Sequence, residues 1–281
     1  MVYANAIPSP KAGCLEKRMS GISTDDFKVR VPGGSVHVKR WTPEDPVSET
    51  PLIMLHDSLG SIALWGDFPR ILAEGLSRCV VAYDRLGFGR SDPRVEMPSI
   101  HFIEEEATQY FPHIKKGLAI HRYILLGHSV GGSMSINIAA RDPDCAAVIT
   151  MAAQAYVEAR TVDAIKDAKN MFSQAGQIER LQKWHGAKAQ WVLRAWTGVW
   201  LSPRFSTWSL RNCIGKVGCP VLAIHGDHDE YGSNAFPEFI AGTTAGAGKM
   251  LILEDCGHMP HKEKTDEVVN AVKAFLDEYA G

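Results

Sequence analysis

Tyr123-Ile124-Leu125-Leu126-Gly127-His128-Ser129-Val130-Gly131 is an apolar run that breaks into G-x-S-x-G and leads into a helix-like segment. A strand that turns into a helix within so few residues crowds its own backbone. Gly127 and Gly131 therefore stand where a side chain would clash, and Ser129 is left exposed at the tip. A serine so placed is a candidate nucleophile, although an isolated G-x-S-x-G is also an ordinary Gly/Ser turn. The surrounding sequence decides between the two.

Outward from that turn, residues 52–55, 79–83, 146–149, 221–224 and 250–253 repeat the pattern of residues 123–126: short, continuous apolar runs. Such runs suit strands buried on both faces of a parallel sheet. Helix-like segments lie between them, at about 63–76, 103–117, 131–141 and 262–279. Ahead of them, residues 27–31 and 35–41 alternate apolar and polar around Pro32-Gly33-Gly34, which predicts a β-hairpin. The expected class is α/β, a mostly parallel sheet covered by helices on both faces, with an N-terminal hairpin.

Residues 156–210 break the alternation, with no buried-strand run but with helical spacing and five of the chain's seven tryptophans. The division that follows is an N-terminal extension over 1–26, a core formed by 27–155 and 211–281, and an inserted helical cap over 156–210. Trp196 and Trp200 are spaced to share a helix face. Trp184, Trp191, Trp196 and Trp200 either pack the cap onto the core or line an apolar substrate pocket.

Composition limits the partners. Thirty Lys and Arg against 32 Asp and Glu leave a formal charge of −2 over 281 residues. No basic field argues for nucleic acid or an anionic membrane, so a small substrate that is not highly charged is expected. The six cysteines form no C-x-x-C pair, and several sit in apolar runs where a reduced thiol packs as a small hydrophobe, which fits a cytoplasmic protein. Residues 1–19 lack the apolar core of a secretory signal, and Ala12-Gly13-Cys14 lacks the apolar stretch that precedes a lipoprotein cleavage site. No run approaches the ~18 apolar residues of a membrane span.

A serine hydroxyl is a poor nucleophile unless a histidine takes its proton, and that histidine needs a carboxylate to fix its tautomer. Both partners are available at strand ends. His225-Gly226-Asp227-His228-Asp229 follows one run and Glu254-Asp255-Cys256-Gly257-His258 the next, so the order is Ser, Asp, His. Asp227 and Asp229 both remain candidates for the acid. The His225–Asp229 cluster matches no zinc spacing, and a strand end cannot aim all of its side chains at one ion, so neither metal nor cofactor is expected.

Taken with its neighbours, the chain resembles a lid-bearing α/β-hydrolase, over about residues 27–279. Four motifs carry the resemblance: His56-Asp57-Ser58-Leu59-Gly60, similar to the family's H-G-x oxyanion segment; Asp84-Arg85-Leu86-Gly87-Phe88-Gly89-Arg90-Ser91, similar to its D-x-x-G-x-G-x-S turn; the Ser129 elbow; and the paired acid and histidine loops. The resemblance implies Ser129 as nucleophile and His258, in Gly257-His258, as base, with His261 as a runner-up read as a surface histidine. It selects Asp229 by the family's G-x-x-D pattern after Gly226, and leaves Asp227 to bond loop amides. Val130 and Ser58 would supply the oxyanion N–H groups. Asp57 stands where glycine is usual, a carboxylate that would disfavour anionic substrates near the hole. His56 is expected to brace the loop or to touch substrate, and Arg85, Arg90 and Asp92 to tie down the turn.

A serine rather than an aspartate in the elbow argues against dehalogenase and epoxide hydrolase chemistry. The implied reaction is hydrolysis of a small or medium carboxylic ester, lactone or thioester through a Ser129 acyl-enzyme. His56-Asp57-Ser58-Leu59-Gly60 also resembles the S-N-S-L-G form of enol-lactonase-like members. Two other readings stay open: a C–C bond hydrolase of ring-cleavage products, and a ligand-binding receptor on the same scaffold.

Overall fold

The computed structural model describes residues 21–280, so Cys14 and the rest of residues 1–20 lie outside the described residues. Strands β1 (Ile22–Val31) and β2 (Gly34–Pro43) pair antiparallel in register from Ile22↔Pro43 to Val31↔Gly34. Their two-residue turn ends on Gly33 at φ 83°, a conformation that glycine adopts without strain. The hairpin is longer than its alternating pattern, and the expected boundary at residue 26 falls inside β1.

β3 (Leu52–Leu55) leads through a single 3-10 turn (Ile62–Trp65) to helix α1 (Phe68–Leu76), then β4 (Val80–Tyr83). One continuous helix over 63–76 is not formed, because Gly66 at φ 59° ends the first turn before Pro69 starts the second. The 103–117 segment is likewise divided into α2 (Phe102–Glu105), a π turn (Glu106–Tyr110) and α3 (Phe111–Gly117). Pro112, in the first turn of α3, has no N–H to return to the preceding turn, which widens there.

β5 (Tyr123–His128) runs into α4 (Val130–Ala139), and β6 (Cys145–Met151) follows. Three helices come next: α5 (Ala159–Phe172), α6 (Gln177–His185) and α7 (Ala189–Trp200). An isolated bridge between Tyr156 and Ser209 brings the two ends of that segment together. β7 (Val221–Gly226), α8 (Ala235–Thr243), β8 (Gly248–Leu253), α9 (Pro260–Glu263) and α10 (Thr265–Tyr279) complete the chain.

The eight strands form one sheet in the order β1-β2-β4-β3-β5-β6-β7-β8, parallel from β4 to β8, with β2 antiparallel to β4. The pleat divides the core. Leu52, Met54, Val80 and Ile124 pack toward Leu72 of α1 and Val272 of α10, while Ile53, Leu55, Val81 and Leu125 pack toward Ile114, Met134 and Ile240 on the other face. α4 is buried along its whole length, as expected of a helix with no polar face.

β3 lies between β4 and β5, so the chain reverses its direction of winding there. A crevice opens at the carboxyl ends of strands on either side of such a reversal. The loops after β3 and β5, which carry Ser58 and Ser129, meet at it. Among the described residues no helix is long and apolar enough to cross a membrane.

Candidate active site

Ser129 sits at φ 55°, ψ −126°, a backbone that L residues adopt at a cost of about 1–3 kcal/mol. The glycines beside it are steric necessities: a Cβ on Gly127 would stand 2.2 Å from the Gly131 carbonyl, and one on Gly131 2.2 Å from that of Leu55. The Ser129 N–H donates to the Met151 carbonyl at 2.8 Å, fixing the elbow to β6. Val130 opens α4, and its N–H precedes the first helical hydrogen bonds, which Gly132 and Ser133 make to the Ser129 carbonyl.

The acid and the imidazole meet across two loops. Both carboxylate oxygens of Asp229, which is 1% exposed, lie 2.9 Å from His258 Nδ1, and the Tyr231 N–H donates to Oδ1 at 2.7 Å. Burial works against the imidazolium, but the Asp229 carboxylate outweighs it and raises the proton affinity of His258 above the ordinary histidine value of 6.5. Burial also penalises the Asp229 carboxylate, and the His258 bond overcomes it, so Asp229 is held below the usual range. Asp227 instead accepts the Cys256 N–H at 3.1 Å, away from the imidazole.

Ser129 and His258 line one cavity of about 440 Å³ with Ser58, Trp184, Trp196 and Trp200. Among the described residues, the hydrogen-bond partner of the Ser129 hydroxyl is the Gln154 amide, with Oε1 at 3.3 Å and Nε2 at 3.2 Å. Gln154 is absent from the sequence-derived site. Its one signal is position, a polar residue just past the carboxyl end of buried β6.

The loop after β3 is braced by the residue that sets it apart. The Asp57 carboxylate lies 3.4 Å from His128 Nδ1 and accepts the Leu59 N–H at 2.8 Å. His128 Nε2 in turn donates to the His258 carbonyl at 2.7 Å, so the three loops share one chain of contacts. Burial disfavours the Asp57 anion, yet the His128 contact more than offsets it and holds Asp57 well below the usual carboxylate range.

Other expected pocket residues divide. His56 lines neither cavity described here: its Nδ1 donates to the Asp57 carbonyl at 2.8 Å, its Nε2 accepts the Arg85 N–H at 3.1 Å, and burial with the Arg85 charge lowers its pKa to about 3. Trp191 lines a smaller neighbouring cavity rather than the one holding Ser129. Trp184 stands at the rim, 40% exposed. His261 is not on the surface as expected; it is buried against Trp65, Phe68 and His128, which brings its pKa to about 2.

In the turn after β4 the anchor is Asp84, whose carboxylate accepts the N–H groups of Ile62 at 2.6 Å and Arg90 at 2.7 Å. The 156–210 segment grips the same turn. His185 Nδ1 accepts the Gly89 N–H at 2.9 Å, and Lys188 Nζ donates to the carbonyls of Phe88, Gly89 and Ser91. Lys188→Met keeps the stem and strands those carbonyls, an expected loss of about 1–3 kcal/mol. A thermal scan should show Tm lower by several degrees, and an unchanged Tm would mean that the clamp contributes no net stability.

Residues 52–271 match the Alpha/beta hydrolase family. A proline iminopeptidase of Lactobacillus crispatus (strain ST1) is 23% identical over 278 residues, covering 82% of this chain and 91% of the relative. Among solved structures, a membrane phospholipase A superposes with a TM-score of 0.74 at 20% identity, covering 92% of this chain and 87% of that one. The enol-lactonase from Burkholderia xenovorans LB400 gives 0.70 at 19% identity, over 89% and 100%. At these identities the structures share the fold, and the match over residues 52–271 assigns the family: the chain belongs to the alpha/beta hydrolase family.

Proposed function

We propose that this chain hydrolyses small or medium carboxylic esters, lactones or thioesters through a Ser129 acyl-enzyme, without a cofactor. The observation that carries the proposal is that His258, bonded to Asp229, lines the same 440 Å³ cavity as the strained Ser129. That volume is in the range of small-molecule sites, and Leu64, Ile165, Trp196 and Trp200 give it apolar walls. In this reading the 27–155 and 211–281 segments carry the triad and 156–210 caps it.

The Ser129 hydroxyl turns from Gln154 to His258 Nε2, gives up its proton and attacks the carbonyl carbon. Charge on the carbonyl oxygen is taken by the N–H groups of Val130 and Ser58, each worth about 3–4 kcal/mol in such sites. His258 then passes the proton to the leaving oxygen or sulfur, the C–O or C–S bond breaks, and water enters by the reverse sequence to release the acid. Breaking the Gln154 bonds costs little, since neutral hydrogen bonds are worth about 0.5–1.5 kcal/mol net.

The test is intact-mass analysis after a fluorophosphonate, combined with a chain-length panel of acyl esters, lactones and thioesters. One adduct per chain, mapped to Ser129, with turnover that peaks at short acyl chains, is the expected result. Labelling without turnover across the panel would favour a receptor. Turnover confined to a vinylogous diketone would favour C–C hydrolysis. No labelling at Ser129 would remove the triad reading altogether.

A further inference from the structure

A second cavity, of about 30 Å³, adjoins the main one through Ser58, Trp196 and Trp200, which line both. Arg85 stands in its wall, 5% exposed, with its guanidinium 4.3 Å from the Phe88 ring. One Nη2 bond goes to the Asp57 carbonyl at 2.8 Å, while Nε has no partner. Among the described residues no carboxylate lies within ion-pair distance of the guanidinium. A buried cation left without a counter-ion costs several kcal/mol unless something supplies the missing charge.

A second cation, Arg94, lines the same space, with Nη2 3.8 Å from a Glu105 carboxylate oxygen. Trp191 and Trp200 line it with their rings, while their indole N–H groups are shielded and, among the described residues, unpartnered. The carboxyl group in the wall is Glu106, in the π turn, whose Oε1 already accepts the Tyr83 hydroxyl at 2.8 Å. Burial pushes the Glu106 carboxyl up, against the pull of the Arg85 charge and the Tyr83 hydroxyl. Two guanidinium groups thus line the cavity against one carboxyl group, which is already bonded to Tyr83. Its size corresponds to about two water-sized atoms, which suits the two oxygens of a carboxylate.

Resting on the ester reading above, we infer that this inner cavity binds a carboxylate carried at the far end of the substrate's acyl group, through Arg85. The preferred substrates are then monoesters of dicarboxylic acids, or lactones and thioesters that carry an equivalent distal carboxylate. The acyl half is assigned because the leaving group must escape. The main cavity opens past exposed Trp184 and Met171, whereas every side chain that lines the inner one is buried or half-buried. Asp57 does not oppose this, since its carboxylate is turned to His128 and the Leu59 N–H.

Monoethyl succinate, glutarate and adipate, each compared with the ethyl ester of the neutral straight-chain acid of matching length, test the assignment in a pH-stat. For the length that reaches Arg85, kcat/KM of wild type should favour the monoester by about 10- to 100-fold, the range of a hydrogen bond to a charged group. Arg85→Gln should collapse that ratio toward one. Preference for the neutral ester at every length, or an Arg85→Gln variant that slows both esters alike and keeps the ratio, would overturn the inference. If Arg85→Gln does not fold, Arg85→Lys, which keeps the charge and loses the planar fork, should still lower the ratio severalfold, and an unchanged ratio counts against the subsite. If no ester turns over, the hydrolase reading fails, and calorimetric titration of free glutarate and adipate decides the subsite: binding lost in Arg85→Gln supports it, and absence of binding in wild type refutes it.

Discussion

Ser129→Ala is expected to lower kcat on the best ester of the panel by about 10⁴- to 10⁶-fold while the protein stays folded. The size of the loss follows from the chemistry, because alanine leaves no atom to form the acyl-enzyme, and what remains is water activated within the oxyanion site. The structural cost is small. The hydroxyl's bonds to Gln154 are long, at 3.2 and 3.3 Å, and the positive φ is borne by the backbone, which the crowded glycines and the Met151 carbonyl hold in place. Circular dichroism and Tm should therefore match wild type to within the effect of about 1 kcal/mol. Retention of even 1% of wild-type kcat, with the fluorophosphonate adduct still present, would place the nucleophile elsewhere.

Much of this arrangement was legible in the sequence because it rests on local rules. Continuous apolar runs read as buried parallel strands, and each of the six such runs is a strand in the structure; burial on both faces removes polar positions from five of them, while the sixth, in β8, lies at the sheet edge with Met250 exposed. Segment breaks were less legible. Over 103–117 the helical periodicity continues through Glu106–Tyr110, and only Pro112 hints that the backbone widens into a π turn. Side-chain partners across loops were not legible at all. The contact between Asp57 and His128 needs the β3 and β5 loops to meet at the reversal of the sheet, and nothing in either segment alone specifies it. Gln154 is hidden for the same reason, as is the burial of His261 beneath Trp65. Family patterns pointed to Asp229 over Asp227, and the geometry on His258 has the same preference, but the loop composition by itself held both open.

Asp229→Asn should cost about 10⁴-fold in kcat, and the loss should not be recoverable at any pH. Asn can present an N–H where the carboxylate accepts the Nδ1 proton, so the ring tends to the tautomer that has no lone pair for Ser129. The pH profile separates this from mere disruption. In wild type the proton affinity of His258 is raised above 6.5, and a general base must be unprotonated, so the acid limb of kcat/KM should lie above 6.5. Removing the carboxylate leaves burial, which lowers that affinity, and the residual limb should move to lower pH. Stability has its own sign. A raised imidazole pKa gives stabilisation that is complete below 6.5 and lost as pH rises through the raised value. The depressed Asp229 pKa gives stabilisation present above 3.8 and lost as pH falls through the depressed value. The Tm gap between wild type and Asp229→Asn should accordingly be widest between carboxylate ionisation and imidazole deprotonation, and should narrow on the alkaline side. Asp227→Asn, whose parent carboxylate accepts the Cys256 amide and lies beside His228 rather than His258, should shift neither the limb nor that gap. If Asp227→Asn moved the acid limb and Asp229→Asn did not, the roles of the two aspartates would be exchanged.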